Sequence, residues 1–131
     1  MQLKPVSDDI ENRRPVWRAL SDLFLDTDTS LSLEWRAREL SKSPYSIDEL
    51  EEILIVEVYP ACRSNLLSIA GEWAGFDMDW LERKIQSRVK SPLKALHAFN
   101  LGRLTVPTSA GWRATKQAVR TNRAAVHPGA A

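Results

Sequence analysis

Residues 43–80 contain the feature that most constrains the fold. Ser46 is followed three positions later by Glu49, and the apolar run Ile53-Leu54-Ile55-Val56 comes just after. This is a capping box, in which each side chain satisfies the other residue's free backbone N–H. It starts a helix at a defined residue and so fixes which face points where. At about 100° per residue, Ile47, Leu50, Leu54 and Val58 share one face, and Ile53 widens it. Ile55 and Val56 point elsewhere, so the second half of this helix is apolar nearly all round. Such a helix is surrounded by others rather than laid on a surface.

Glu57 falls on the buried side, beside Leu50 and Ile53. A carboxylate there needs a cation or several donors, because an unpaired buried charge is very costly. Arg13, Arg14 and Arg38 are the candidate partners. A structural ion pair is the expected role. The alternative is an acid of raised pKa that serves catalysis.

The rest of the chain reads as short helices around this one. Residues 1–12 have no period and read as an N-terminal arm. Pro15 suits the first turn of a helix, whose apolar stripe is Val16, Trp17, Leu20, Leu23 and Phe24. Residues 26–30 form a polar turn. Ser30 or Ser32 then caps a helix to Ser41 that buries Leu33, Ala37 and Leu40. The break at residues 42–45 contains Pro44, and the residue before a proline avoids the helical region. Tyr59-Pro60 predicts a kink or a fresh start, followed by a helix from Cys62 to Ala70. Gly71 and Gly75 bracket Glu72-Trp73-Ala74. Asp77 is the cap expected for a helix to Lys90, with Met78, Leu81, Ile85 and Val89 on one face.

Ser91-Pro92 opens the next helix, with Leu93, Leu96 and Phe99 inward, and Asn100-Leu101-Gly102 closes it. Residues 103–107 have extended character but are too few to make a sheet. Thr108 or Ser109 caps a last helix from about Ala110 to Arg123, and residues 124–131 read as an irregular tail. The fold class is therefore all-α: a single bundle of six or seven short helices over residues 13–123, with 131 residues enough for one real core.

Charge is divided unevenly along this bundle. All 17 acids lie at or before Glu82, where only eight Lys and Arg accompany them, so residues 1–82 carry a formal −9. Residues 83–131 hold the other ten Lys and Arg and no acid, a formal +10. An acidic body (13–82) with a basic C-terminal part (83–123) implies electrostatic contact with a partner or within the chain itself. Asp48, Glu49, Glu51 and Glu52, with Asp22 and Asp26 behind them, are the residues expected to present a negative surface to a basic protein. Arg113, Lys116, Arg120 and Arg123 are spaced 3, 4 and 3 and share one helical face beside Trp112, a pattern suited to phosphate backbones.

Chemistry-bearing motifs are otherwise sparse. Cys62, His97 and His127 share no metal-ligand spacing. Nothing matches a phosphate-cradling glycine loop or a dinucleotide fingerprint, so no cofactor is expected. A non-enzymatic role is the reading, with Glu57 or Glu72 the acids to watch otherwise. The lone cysteine and the polar N-terminus MQLKPVSDDIENRRP point to a reducing, cytoplasmic setting. No apolar run approaches the roughly 20 residues of a membrane helix.

Several stretches together resemble a known family. Arg13-Arg14-Pro15-Val16-Trp17, Leu20 through Thr27, Ser43-Pro44-Tyr45-Ser46, Glu57-Val58-Tyr59-Pro60 and Gly71 through Phe76 are similar to the signatures of small, helical bacterial proteins of unknown function. The resemblance covers roughly residues 13–85 and implies a helical fold without assigning a catalytic residue. In general character the chain also resembles immunity proteins of contact-dependent growth inhibition systems. The function expected is thus a bacterial protein-binding module that neutralises a cognate toxin domain, such as a nuclease, through its acidic surface. The alternative is a nucleic-acid-binding protein that uses the basic last helix.

Overall fold

The computed structural model describes residues 3–24, 29–66, 78–89 and 102–126. These residues are all-α, with no strand among them. Among the described residues there are seven α-helical segments: α1 (Ile10–Ser21), α2 (Leu33–Ser41), α3 (Ile47–Ile53), α4 (Tyr59–Leu66), α5 (Met78–Val89), the single turn α6 (Gly102–Thr105) and α7 (Ala110–Val126). Among the described helices, none is long and apolar enough to cross a membrane.

The capping box forms as the spacing predicts. The Glu49 N–H donates to Ser46 Oγ at 3.1 Å, and the Ser46 N–H donates to Glu49 Oε1 at 2.8 Å. From this start the chain stays helical to Leu66, passing through a π turn over Leu54–Val58 rather than breaking at Tyr59-Pro60. Within that turn the Tyr59 N–H reaches back five residues, to the Leu54 carbonyl. The physical reason is Pro60, which has no N–H and whose ring would strike the carbonyl four residues earlier in a regular helix. The wider turn carries the helix past it. Leu50, Ile53, Leu54, Ile55 and Val58 are all buried, as a helix enclosed by neighbours requires.

Helix α1 begins five residues before Pro15, which sits within it. The segment read as an arm is instead built into the domain. Val6–Asp8 forms a 3-10 turn, and Val6 is buried in the core. Val16, Trp17 and Leu20 are buried, while Leu23 and Phe24 are half-buried in the 3-10 turn Asp22–Phe24. Helix α2 buries Ala37 and Leu40, and α5 buries Leu81 and Ile85.

Residues 103–107 are not extended. Three of them belong to the helical turn Gly102–Thr105 and the bend after it buries Val106, because so short a piece finds no strand to pair with. Helix α7 starts where expected but runs three residues further, to Val126. The carbonyl of Ser109 takes the N–H of Arg113 at 3.0 Å, whereas its hydroxyl donates back to the Val106 carbonyl at 2.8 Å. The helix expected over residues 91–100, the end of the one reaching Ala70, the Gly71–Gly75 stretch, Asp77, His97 and His127 lie outside the described residues.

Helix α7 is the partner of α2. It buries Trp112, Thr115 and Val119. Arg123 ends the contact by donating to the carbonyls of Leu40, Ser41 and Ser43 at 3.1, 3.4 and 3.2 Å. Those carbonyls belong to the last turn of α2 and to the second residue past its end, where helical acceptors are left over, so a cation there completes the helix end. Burial holds the Arg123 guanidinium below its ordinary value.

Candidate functional site

Two kinds of charged site coexist, one inside the bundle and one on its surface. The inner one centres on Glu57, which the π turn directs at α1. Glu57 Oε1 accepts from Trp17 Nε1 at 2.8 Å and from Arg13 Nε at 3.2 Å, and Oε2 accepts from Arg13 Nη2 at 3.1 Å. The other donors of Arg13 reach Asp9 at 3.0 Å, the Tyr45 hydroxyl at 3.3 Å and the Lys4 carbonyl at 2.9 Å. Tyr45 in turn donates to Asp9. All five N–H groups of a guanidinium that is 1% exposed are therefore used.

Of the three candidate partners of Glu57, Arg13 is the one that binds it. Arg14 instead makes a bidentate pair with Glu82 of α5, at 2.9 Å for each bond, and Arg38 is exposed. The pair with Arg14 holds the Glu82 carboxyl below its usual range, although partial burial opposes this. Burial pushes Asp9 upward, but its bonds from Tyr45 and Asn12 and the charge of Arg13 outweigh that and leave it below the usual range. Burial, with the bond to Asp9, pushes the Tyr45 hydroxyl up to about 12. The cluster ties the segment at Lys4–Asp9, α1, the loop at Tyr45 and the π turn into one unit.

A second inner group surrounds Arg36, also 1% exposed. It donates to Asp22 at 2.8 Å, to Ser32 at 3.2 Å and to Thr115 Oγ1 at 2.9 Å. Ser32 donates to Asp22 as well, so its hydroxyl serves this group rather than capping α2. Asp22 thus stands in an interior network at the α1–α2–α7 junction, apart from the acids of α3. Asp26 lies outside the described residues.

The surface site is where α3, α6 and α7 meet. Asp48, Glu49, Glu51 and Glu52 all stand on α3; Asp48 is exposed and Glu49 is engaged in the capping box. Glu51 Oε1 accepts from Trp112 Nε1 at 2.8 Å and from Lys116 Nζ at 3.3 Å. Glu52 takes a bidentate pair from Arg103, at 3.0 and 2.9 Å. The basic C-terminal part therefore folds back onto the acidic body through these two contacts. Lys116 also lies 5.9 Å from the centroid of the Trp112 ring. Arg113 and Arg120 are exposed on the same helix.

Next to Glu51 and Glu52 is an apolar pocket of about 230 Å³. Leu23, Phe24, Leu54, Tyr59, Val106 and Trp112 line it. Phe24 and Tyr59 meet edge to face, with ring centroids 5.9 Å apart. Leu104, one residue from the lining, is 76% exposed. This pocket was not foreseen from the sequence, because its lining comes from five separate segments. The only local sign was the apolar pair Leu104 and Val106 in a stretch that makes no sheet.

Burial pushes the Cys62 thiol up and leaves it inert as a nucleophile. No group of three or more His, Cys, Asp or Glu among the described residues could hold a metal ion. No curated protein and no solved structure matches the chain significantly. Residues 11–126 match the family described as a domain of unknown function, DUF7079, a span that takes in both the acidic body and the basic α7, and the chain belongs to that family.

Proposed function

We propose that the chain is a non-enzymatic protein-binding module, most concretely an immunity protein that holds a basic toxin domain such as a nuclease. The observation that supports this is the joining of two elements at one place: the carboxylates of α3 and the apolar pocket beside them. Protein interfaces draw most of their binding energy from a few aromatic or apolar anchors seated in desolvated pockets, ringed by polar groups. Phe24, Tyr59 and the exposed Leu104 supply such anchors, and Asp48, Glu51 and Glu52 supply the ring. A partner whose own site is basic because it holds phosphates would be steered to this rim and would find the charge of its substrate imitated there.

The ion pairs at Glu51 and Glu52 do not oppose this reading. Arg103 and Glu52 have 41% and 30% of their side chains exposed, so the pair is open to water and exchangeable. Such pairs are worth about 0–1 kcal/mol, little to give up to a stronger cation. The test is co-purification of the tagged chain from its own cells, then titration of the captured protein against wild type and Leu104→Ser. Because Leu104 is exposed, the variant keeps the fold. The expected result is a basic partner whose Kd rises about tenfold or more, as for an interface anchor. A partner bound equally well by Leu104→Ser would remove the pocket from the interface.

A further inference from the structure

The outer face of α7 meets the patch just described only at Lys116, and its chemistry is opposite. A concave strip of about 520 Å³ runs along it, with Arg113, Lys116 and Arg120 among its lining. Ala110 and Ala114 lie between them, small enough to let a chain approach the helix closely. Gln117 adds a neutral group that can both donate and accept. None of the residues lining the strip is acidic. Helix α7 itself contains no acid over Ala110–Val126. The side chains of Arg113 and Arg120 have no hydrogen-bond or ion-pair partner among the described residues. Lys116 is shared with Glu51 at the strip's edge.

We infer that this strip binds the phosphate backbone of a nucleic acid. Arg113 and Arg120 are seven residues apart, which at 1.5 Å per residue is about 10 Å along the helix. A few nucleotides of one strand, rising about 3.4 Å each along the duplex axis, cover a similar length, so the three cations are within reach of neighbouring phosphates. Trp112, the nearest large ring, flanks the strip but is buried and bonded to Glu51, so it is not presented for base stacking. The contact is therefore to the backbone and not to bases, and duplex binds at least as well as single strand. Arg123 contributes nothing to it, because its guanidinium is occupied with the end of α2.

Glu51 separates this inference from the protein-binding reading. Replacing it with Gln removes a charge that the partner protein would use, and at the same time releases Lys116 to the strip. Oligonucleotide binding should tighten in Glu51→Gln while capture of a basic protein weakens.

The experiment is fluorescence anisotropy of the full chain with a labelled 16-base-pair duplex, the matching single strand and poly-glutamate, over about 50–200 mM salt. With three phosphates contacted, duplex affinity should fall about 40-fold across that range, and only about 3- to 4-fold in R113Q/R120Q. Both substitutions are at exposed positions, and circular dichroism should show an unchanged helix content. The inference is overturned if duplex binding ignores salt, if R113Q/R120Q binds as wild type does, if poly-glutamate binds as tightly as the duplex, or if Glu51→Gln weakens duplex binding.

Discussion

Arg13 and Lys116 each face a carboxylate of the same continuous helix, yet their surroundings differ completely. Arg13 is sealed in the bundle with every donor bonded, and its two carboxylates are locked by Tyr45, Asn12 and Trp17. Lys116 stands at the rim, with one hydrogen bond to Glu51 at 3.3 Å, the Trp112 ring 5.9 Å away and 19% of its side chain exposed. In the interior, removing one partner strands the other without solvent, so the network is held together by the cost of breaking it. At the surface, water replaces whatever is lost. The comparison teaches that this protein uses like chemistry for two ends. Inner charges fix how the helices meet, and outer charges stay free to meet something else.

The largest expected effect comes from breaking the inner site. Glu57→Ala should destabilise the fold by about 3–5 kcal/mol in urea denaturation, since it leaves the Arg13 charge buried and the Trp17 N–H unmatched. Replacing both members with apolar residues, Arg13→Met with Glu57→Leu, should recover only part of that loss, because Asp9 then loses its cation and the Trp17 N–H stays unmatched. A Glu57→Ala protein as stable as wild type would mean that the clasp does not hold the bundle.

Next in size is the response to pH. Folded Asp9 holds its proton less tightly than the unfolded chain does, so it stabilises the fold above the ordinary carboxylate value of 3.8 and this is lost as pH falls below it. Tyr45 behaves in the opposite sense. Its proton is held up to about 12 instead of 10.0, so stability should decline as pH rises through that interval. Tyr45→Phe should flatten the alkaline limb and also shrink the acid limb, because the Tyr45 hydroxyl is one of the donors that hold Asp9 down; urea midpoints measured from about pH 3 to pH 12 would show both. Smaller again is the cap: Ser46→Ala should cost about 1 kcal/mol of stability.

Much of the inner site was legible in the sequence. The capping box set the phase of the central helix, the phase placed Glu57 inside, and burial demanded a cation. Which of three arginines would answer was not legible, because that depends on where α1 starts. Pro15 looked like a helix beginning, but Ile10 is the first helical residue, and this puts Asp9 and Arg13 one turn apart on the face toward Glu57. The π turn was hidden for a similar reason, since proline marks a disturbance without saying whether the helix stops or widens. At the surface, the spacing of Arg113, Lys116 and Arg120 was readable and Arg123 looked like a fourth member of the stripe. Its engagement with the end of α2 is a tertiary fact that no helical wheel carries. The apolar pocket was equally invisible, being assembled from residues as distant as Leu23 and Trp112.

The most direct measurement is calorimetric titration of the captured partner with the D48N/E51Q/E52Q variant, alongside its urea denaturation. Gln at 51 still accepts from Trp112, so only charge is removed. The fold should stay within about 1 kcal/mol of wild type, while partner affinity should fall by about tenfold or more. Undiminished affinity, or a collapse of stability by several kcal/mol, would contradict the assignment of these outer charges to attraction.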